Sequence, residues 1–253
     1  MRTLVAIPVY NEHAYVRRVL ERVREYARDI LVVDDGSTDG TGDTLTSLQR
    51  PLDFELIRHP TNHGYGRSLT DAFAFARGRG YDWIITMDCD EQHEPASIPH
   101  FLEAAARDDL DLISGSRYLT LDEDGDCPPP DRRAINHRIT AELNERLGLT
   151  LTDGFCGFKA HRVSALGDLN LTETGYAFPM QLWVQSVAAG HRIGEIPVRL
   201  IYNDASRSFG GGLDVPEVRL NHYRHVMHCE LERCADRLPA QALDGVSAGC
   251  RCQ

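Results

Sequence analysis

The sequence contains no run of about 18 consecutive apolar residues, so nothing in it reads as a membrane-spanning helix. Lysine is almost missing: Lys159 is the one lysine among 27 basic residues, and arginine must supply any other cationic contact. Positive charge is also short overall, with 27 Lys and Arg against 38 Asp and Glu and a formal net charge of −11. That sign argues against nucleic acid or an anionic bilayer as a broad partner, and an anionic substrate must meet local arginines or a metal ion. The N-terminus, Met1-Arg2-Thr3 before a short apolar run, lacks the longer apolar stretch and cleavage site of a secretion signal, so the expected location is cytoplasmic.

Cysteine is too sparse for a disulfide framework. The seven cysteines are scattered and odd in number, which suits reduced thiols. Cys250 and Cys252 form a single C-x-C with no second pair, and residues 241–253 read as a disordered tail. What remains, at 253 residues with 42% hydrophobic and 26% charged, is one soluble globular domain over residues 1–240 with a full core.

Periodicity gives an alternating α/β pattern. Leu4–Pro8 and Ile30–Asp34 are short apolar runs flanking a helical stripe of Val16, Leu20, Val23 and Ala27. Further strands are expected at 54–58, 83–87 and 111–114, with helices at 68–77 and 96–107, which implies a mostly parallel sheet with helices on both faces. Past the Pro-rich acidic loop 122–131 come a helix carrying Ile135, Ile139, Leu143 and Leu147, a strand at 157–161, a helix at 178–189 and an extended segment at 192–202. A Gly-rich flexible loop is expected at 203–213, and an amphipathic helix at 216–238, packed on the domain, paired in a dimer or laid on a membrane.

Ligands of open parallel sheets bind outside the carboxyl ends of the strands. Three polar clusters fall there: Pro8 to Glu12, Asp34 to Thr41, and Asp88 to His93. Asp39 or Thr38 could cap a helix, and so could Asn11. Asp88 and Asp90, one residue apart after a buried run, can both face one divalent ion, Mg²⁺ or Mn²⁺, with Gln92 as a third oxygen. Carboxylates that close repel unless a cation lies between them.

Ile7-Pro8-Val9-Tyr10-Asn11-Glu12, the Val32 to Thr41 stretch, Asn62-x-Gly64-Tyr65-Gly66 and Asp88-x-Asp90-x-Gln92-His93 resemble the nucleotide-sugar half of family-2 inverting glycosyltransferases with the GT-A fold. Gly115 to Tyr118, Asp153-x-x-x-Gly157-Phe158 and Glu195 to Val198 extend the resemblance to dolichol-phosphate mannosyltransferases and bacterial polyprenyl-phosphate relatives. It implies a nucleotide-sugar half at 1–118 and an acceptor half at 119–240. Pro8, Tyr10, Asn11, Glu12 and Asp35, with Asp34 beside them, would line the base and ribose pocket, and Asp88, Asp90 and Gln92 would hold the metal on the diphosphate. Arg117 would face the phosphates, and Arg132 with Asn136, where relatives commonly have Ser, would reach the acceptor phosphate, with Arg207 from the later loop. The implied partners are a nucleotide-sugar donor and a polyprenyl phosphate or other membrane-linked acceptor, met at the cytoplasmic face of a membrane directly or through an anchored partner.

The acceptor decides what else is needed. A phosphate acceptor is already ionised and needs arginines, whereas a hydroxyl acceptor of a saccharide, lipid or protein needs a base, for which Asp153 is the candidate. Asp153 could equally orient an arginine. A nucleotide-binding module without transfer activity, and a nucleotidyltransferase, are the competing classes. The latter calls for a Gly-rich basic phosphate loop near the N-terminus, which Pro8–Glu12 is not.

Overall fold

Apolar residues alternate along the strands so that successive side chains enter two different cores, one on each side of the sheet. Leu4 and Ala6 of β1 (Thr3–Val9) and Leu31 and Val33 of β2 (Asp29–Asp34) pack into one core, while Val5, Ile7, Ile30 and Val32 pack into the other. In the computed structural model, which describes residues 1–120, 126, 128–202 and 209–246, these strands belong to a seven-stranded sheet. The others are β3 (Glu55–Arg58), β4 (Trp83–Thr86), β5 (Leu112–Ser116), β6 (Lys159–Arg162) and β7 (Ile193–Pro197), in the order β3-β2-β1-β4-β6-β5-β7. All pairings are parallel except those of β6, which runs antiparallel between β4 and β5.

The expected mostly parallel sheet is therefore present, with one reversed strand inside it. Helices α1 (Val16–Tyr26), α2 (Thr41–Leu52) and α4 (Ile98–Ala106) cover one face. The other carries α3 (Tyr65–Gly78), α5 (Pro130–Leu147), α6 (Phe178–Ala188) and α7 (Pro216–Arg233). The extended segment expected over 192–202 is a shorter strand, and the C-terminal helix stops at Arg233, followed by a 3₁₀ turn at Ala235–Arg237.

The apolar stripe of α7 is consumed within the chain. Tyr223, Met227, Leu231 and Cys234 are buried in the core shared with α5 and α6, so this face serves neither a bilayer nor a dimer seam. Glu230, a charged residue of the same helix, is also buried. It accepts from Gln181 Nε2 (2.9 Å), Gln185 Nε2 (2.9 Å) and the Arg233 guanidinium (2.6 and 2.9 Å). Glu230→Ala strips the acceptor from all of these donors and is expected to lower the unfolding free energy by about 3 kcal/mol in urea denaturation.

The tail begins later than expected. Ala240–Leu243 forms a 3₁₀ turn with Ala242 fully buried, and Arg146 Nη1 donates to the carbonyls of Ala242 and Asp244, which pins the segment to α5. Cys250, Cys252 and Arg207 lie outside the described residues.

Candidate active site

The loops after β1, β2 and β4 converge at the carboxyl edge of the sheet, over a cavity of about 770 Å³. Its lining includes Pro8, Tyr10, Glu12 and Asp35 from the loops after β1 and β2, and Asp88, Asp90 and Gln92 from the loop after β4. It also includes Arg117, Arg132 and Arg219 with the aromatic rings of Phe155, Tyr202, Phe209 and Tyr223, all from segments that follow β5. Among the described residues the lining carboxylates, Glu12, Asp35, Asp88 and Asp90, all come from the loops after β1, β2 and β4.

Two expected pocket residues face elsewhere. Asn11 adopts the left-handed conformation (φ 56°), a region Asn tolerates, and turns its carbonyl to the backbone N–H of Thr38 (2.8 Å). Asp34 is buried, accepting from the Ser37 N–H (3.1 Å) and from Arg58 Nε (3.2 Å). Both knit the β2–α2 loop together and leave the cavity wall to their neighbours. The capping role open to Asp39 is the one it plays: it accepts from the N–H (3.0 Å) and hydroxyl of Thr41 at the start of α2.

The β4–α4 loop is held from several sides. Tyr65 Oη donates to Asp88 Oδ1 (3.0 Å), and the Asp88 N–H donates to His93 Nδ1 (2.9 Å). Burial pushes His93 down to about 4, so the ring is neutral and its proton sits on Nε2. Burial also raises the Tyr65 phenol well above its usual value and pushes the Cys156 thiol up to about 11, so neither ionises near neutral pH. Asp90 Oδ1 accepts from the Gln92 N–H (3.1 Å), and Glu91, at φ 59°, reaches Arg18 (2.7 Å). Gly157 lies against this loop; a Cβ there would come within 2.6 Å of Asp88 Oδ2.

The described residues hold no group of three or more His, Cys, Asp or Glu side chains suited to a metal. Two carboxylates and an amide on one loop nevertheless fit Mg²⁺ or Mn²⁺, which commonly takes one or two protein carboxylates and fills its remaining positions with substrate phosphates and water.

Of the two roles open to Asp153, base or partner of an arginine, the geometry matches the second. It is fully buried, is not among the residues lining the cavity, and is gripped by Arg117 through Nε (2.6 Å) and Nη2 (3.0 Å). Burial alone would raise its carboxyl, but the Arg117 charge and its hydrogen bonds, with Asn136, hold it well below the usual carboxylate range. A carboxylate so enclosed is placed to orient Arg117. Asn136 is committed to the same network, donating to Asp153 Oδ1 (2.8 Å) and accepting from Thr140 Oγ1 (2.9 Å). It borders the cavity while one N–H of its amide holds Asp153 in place.

Arg132 stands where expected, its guanidinium 4.8 Å from the Phe209 ring centre and 5.7 Å from that of Tyr202. Arg219 meets Phe209 at 4.5 Å and is tied to Asp131 Oδ2 (2.9 Å) and the Leu213 carbonyl. Sequence reasoning missed Arg219, Phe209, Tyr202 and the buried Lys159, whose ammonium donates to Ser114 Oγ (2.7 Å) and the Cys156 carbonyl and sits 4.8 Å above Trp183. Its signal was its singularity as the one lysine of the chain.

A mixed sheet with a polar carboxyl edge, a paired aspartate loop and arginines in the second half fit the GT-A fold of glycosyltransferases. The family description glycosyl transferase family 2 matches residues 4–169, and the chain belongs to that family. It is 32% identical over 244 residues to the undecaprenyl-phosphate mannosyltransferase of Micrococcus luteus, covering 94% of this chain and 99% of that one. It is 31% identical over 226 residues to the polyprenol monophosphomannose synthase of Mycolicibacterium smegmatis, covering 85% and 83%. Among solved structures it resembles glucosyl-3-phosphoglycerate synthase from Mycobacterium tuberculosis, crystallised with Mn²⁺, UDP and glucosyl-3-phosphoglycerate. The TM-score is 0.66 at 18% identity, over 94% of this chain and 81% of that one, a likeness of fold.

Proposed function

We propose that this glycosyltransferase moves a hexose from a nucleotide sugar of the GDP-mannose or UDP-glucose type to a polyprenyl phosphate, with inversion at the anomeric carbon. The observation that carries this reading is the charge of the cavity lining: among the described residues its carboxylates all come from the loops after β1, β2 and β4, whereas the segments after β5 bring arginines and aromatic rings. A phosphate monoester brings its own ionised nucleophile, so an acceptor region lined by arginines suits it. Guanidinium groups match its oxygens and stay charged, and the aromatic wall suits the apolar chain that follows.

Tyr10, 45% exposed at the cavity mouth, and Asp35 are assigned to the nucleoside, and Asp88, Asp90 and Gln92 to a divalent cation on the diphosphate. When bound, that cation neutralises charge on the departing diphosphate. Arg117, fixed by Asp153, is assigned to the phosphates between donor and acceptor, and Arg132 to the acceptor phosphate. No helix among the described residues is long and apolar enough to cross a membrane. The lipid chain is assigned to the aromatic part of the cavity lining, with the protein at the cytoplasmic face of a membrane.

The test is a donor panel of GDP-mannose, UDP-glucose and UDP-N-acetylglucosamine against a short-chain polyprenyl phosphate. One donor is expected to turn over, to stop with EDTA and to resume with Mg²⁺ or Mn²⁺. Transfer to a free sugar or lipid hydroxyl, with none to the phosphate, would overturn the reading.

A further inference from the structure

Strands β2 and β3 run parallel with Asp34 in register with Arg58, so the next residue of each, Asp35 and His59, meet at the sheet edge. His59 Nδ1 is 2.6 Å from Asp35 Oδ1, and Nε2 is 2.9 Å from Asp71 Oδ2 on α3. The imidazole is about one-tenth exposed. Ionised carboxylates only accept hydrogen bonds, so both contacts form together only when both ring nitrogens carry hydrogen. A neutral ring would set one nitrogen lone pair against a carboxylate oxygen.

The surroundings of the pair are fully assigned. Asp71 also accepts from Arg67 Nε (2.8 Å), the His63 ring meets His59 edge-on at 5.2 Å, and Arg58 is paired with Asp34 on the strand side. Asp35 takes the N–H of His63 on Oδ1 (2.9 Å) and of Gly64 on Oδ2 (2.8 Å). Oδ1 thus has two donors and Oδ2 one, which leaves one acceptor direction on Oδ2 for a ligand.

We propose that His59 is a positioning residue for the nucleotide: its ring, held between Asp35 and Asp71, fixes the Asp35 carboxylate in the orientation that leaves one Oδ2 acceptor direction for the donor. This rests on the assignment of Asp35 to the nucleoside.

The experiment measures binding of GDP-mannose, UDP-glucose and UDP-N-acetylglucosamine by calorimetry with Mg²⁺, beside steady-state kinetics. His59→Gln, which cannot span Asp35 and Asp71 as the ring does, is expected to bind the donor roughly tenfold more weakly, the worth of one charge-assisted hydrogen bond, with donor KM raised by the same factor and kcat and acceptor KM held within about twofold. Asp71→Asn, which loosens the far side of the ring, is expected to weaken donor binding in the same direction by a smaller factor and keeps the test open if His59→Gln fails to fold. Donor binding in both variants equal to wild type, or a fall in kcat with donor KM unchanged, overturns the proposal. Asp35→Asn separates the two levels: if it binds all three donors as wild type does, the nucleoside assignment itself fails, whereas weakened binding there with unaltered binding in His59→Gln removes the role of His59 alone.

Discussion

Asp153→Ala is expected to cost about 3 kcal/mol of folding stability, because it removes the fully buried carboxylate that pairs the Arg117 guanidinium, a side chain only 21% exposed. That is a large share of the roughly 5–15 kcal/mol available to a domain. The carboxylate also accepts from Asn136 Nδ2 (2.8 Å) and the Phe155 N–H (3.1 Å), so the loss spreads to α5 and to the turn before β6. Glycosyl transfer should fall with it, since Arg117 loses the partner that aims it. The sign of the pH dependence follows from the depressed carboxyl: the stabilisation is fully present above the ordinary Asp value of about 3.9 and is lost as pH falls toward the lower folded value. Acid unfolding followed by circular dichroism should therefore show a steeper loss below about pH 4 in wild type than in the variant. A variant with wild-type stability but no turnover would return Asp153 to the role of base.

Gly157→Ala is expected to act on turnover and spare the fold. The added methyl would lie 2.6 Å from Asp88 Oδ2 and 2.8 Å from Tyr65 Oη, so the carboxylate and the phenol that holds it must both shift. Gly157 is not among the glycines at positive φ, so its backbone accepts alanine without strain. A displacement on the order of 1 Å at a positioning group costs roughly 10²-fold in rate, and kcat/KM should drop by about that factor. The thermal midpoint should move by no more than about 4 °C in calorimetry. Full activity in this variant would show that the placement of Asp88 is not critical.

The parts of this architecture legible in the sequence were those with a local signature. The strands and helices of the first half announced themselves through periodicity, and the strand-end rule brought Tyr10, Glu12, Asp35, Asp88 and Asp90 to one cavity. What stayed hidden depends on side chains meeting across long separations. Nothing near Asp153 in the chain says that Arg117, 36 residues earlier, would enclose it. The family resemblance put Asn11 and Asp34 at the pocket with their neighbours, yet adjacent residues in a tight loop point in different directions. Glu230 and Arg219 are likewise drawn inward by partners far away in the chain, on α6 and in the first turn of α5. The strand order was equally silent, since no local pattern distinguishes a strand that runs antiparallel from one that does not.

That reversed strand bears on how the molecule comes into being. β6 supplies hydrogen bonds to β4 of the first half and to β5, and β5 in turn carries β7. While the chain emerges from the ribosome, the buried apolar strand Trp83–Thr86 has one edge unsatisfied until residues 159–162 arrive. The donor and acceptor halves are thus a division of labour in a finished sheet and not two building blocks. A gene encoding only the first 118 residues would yield a sticky fragment in place of a nucleotide-binding module.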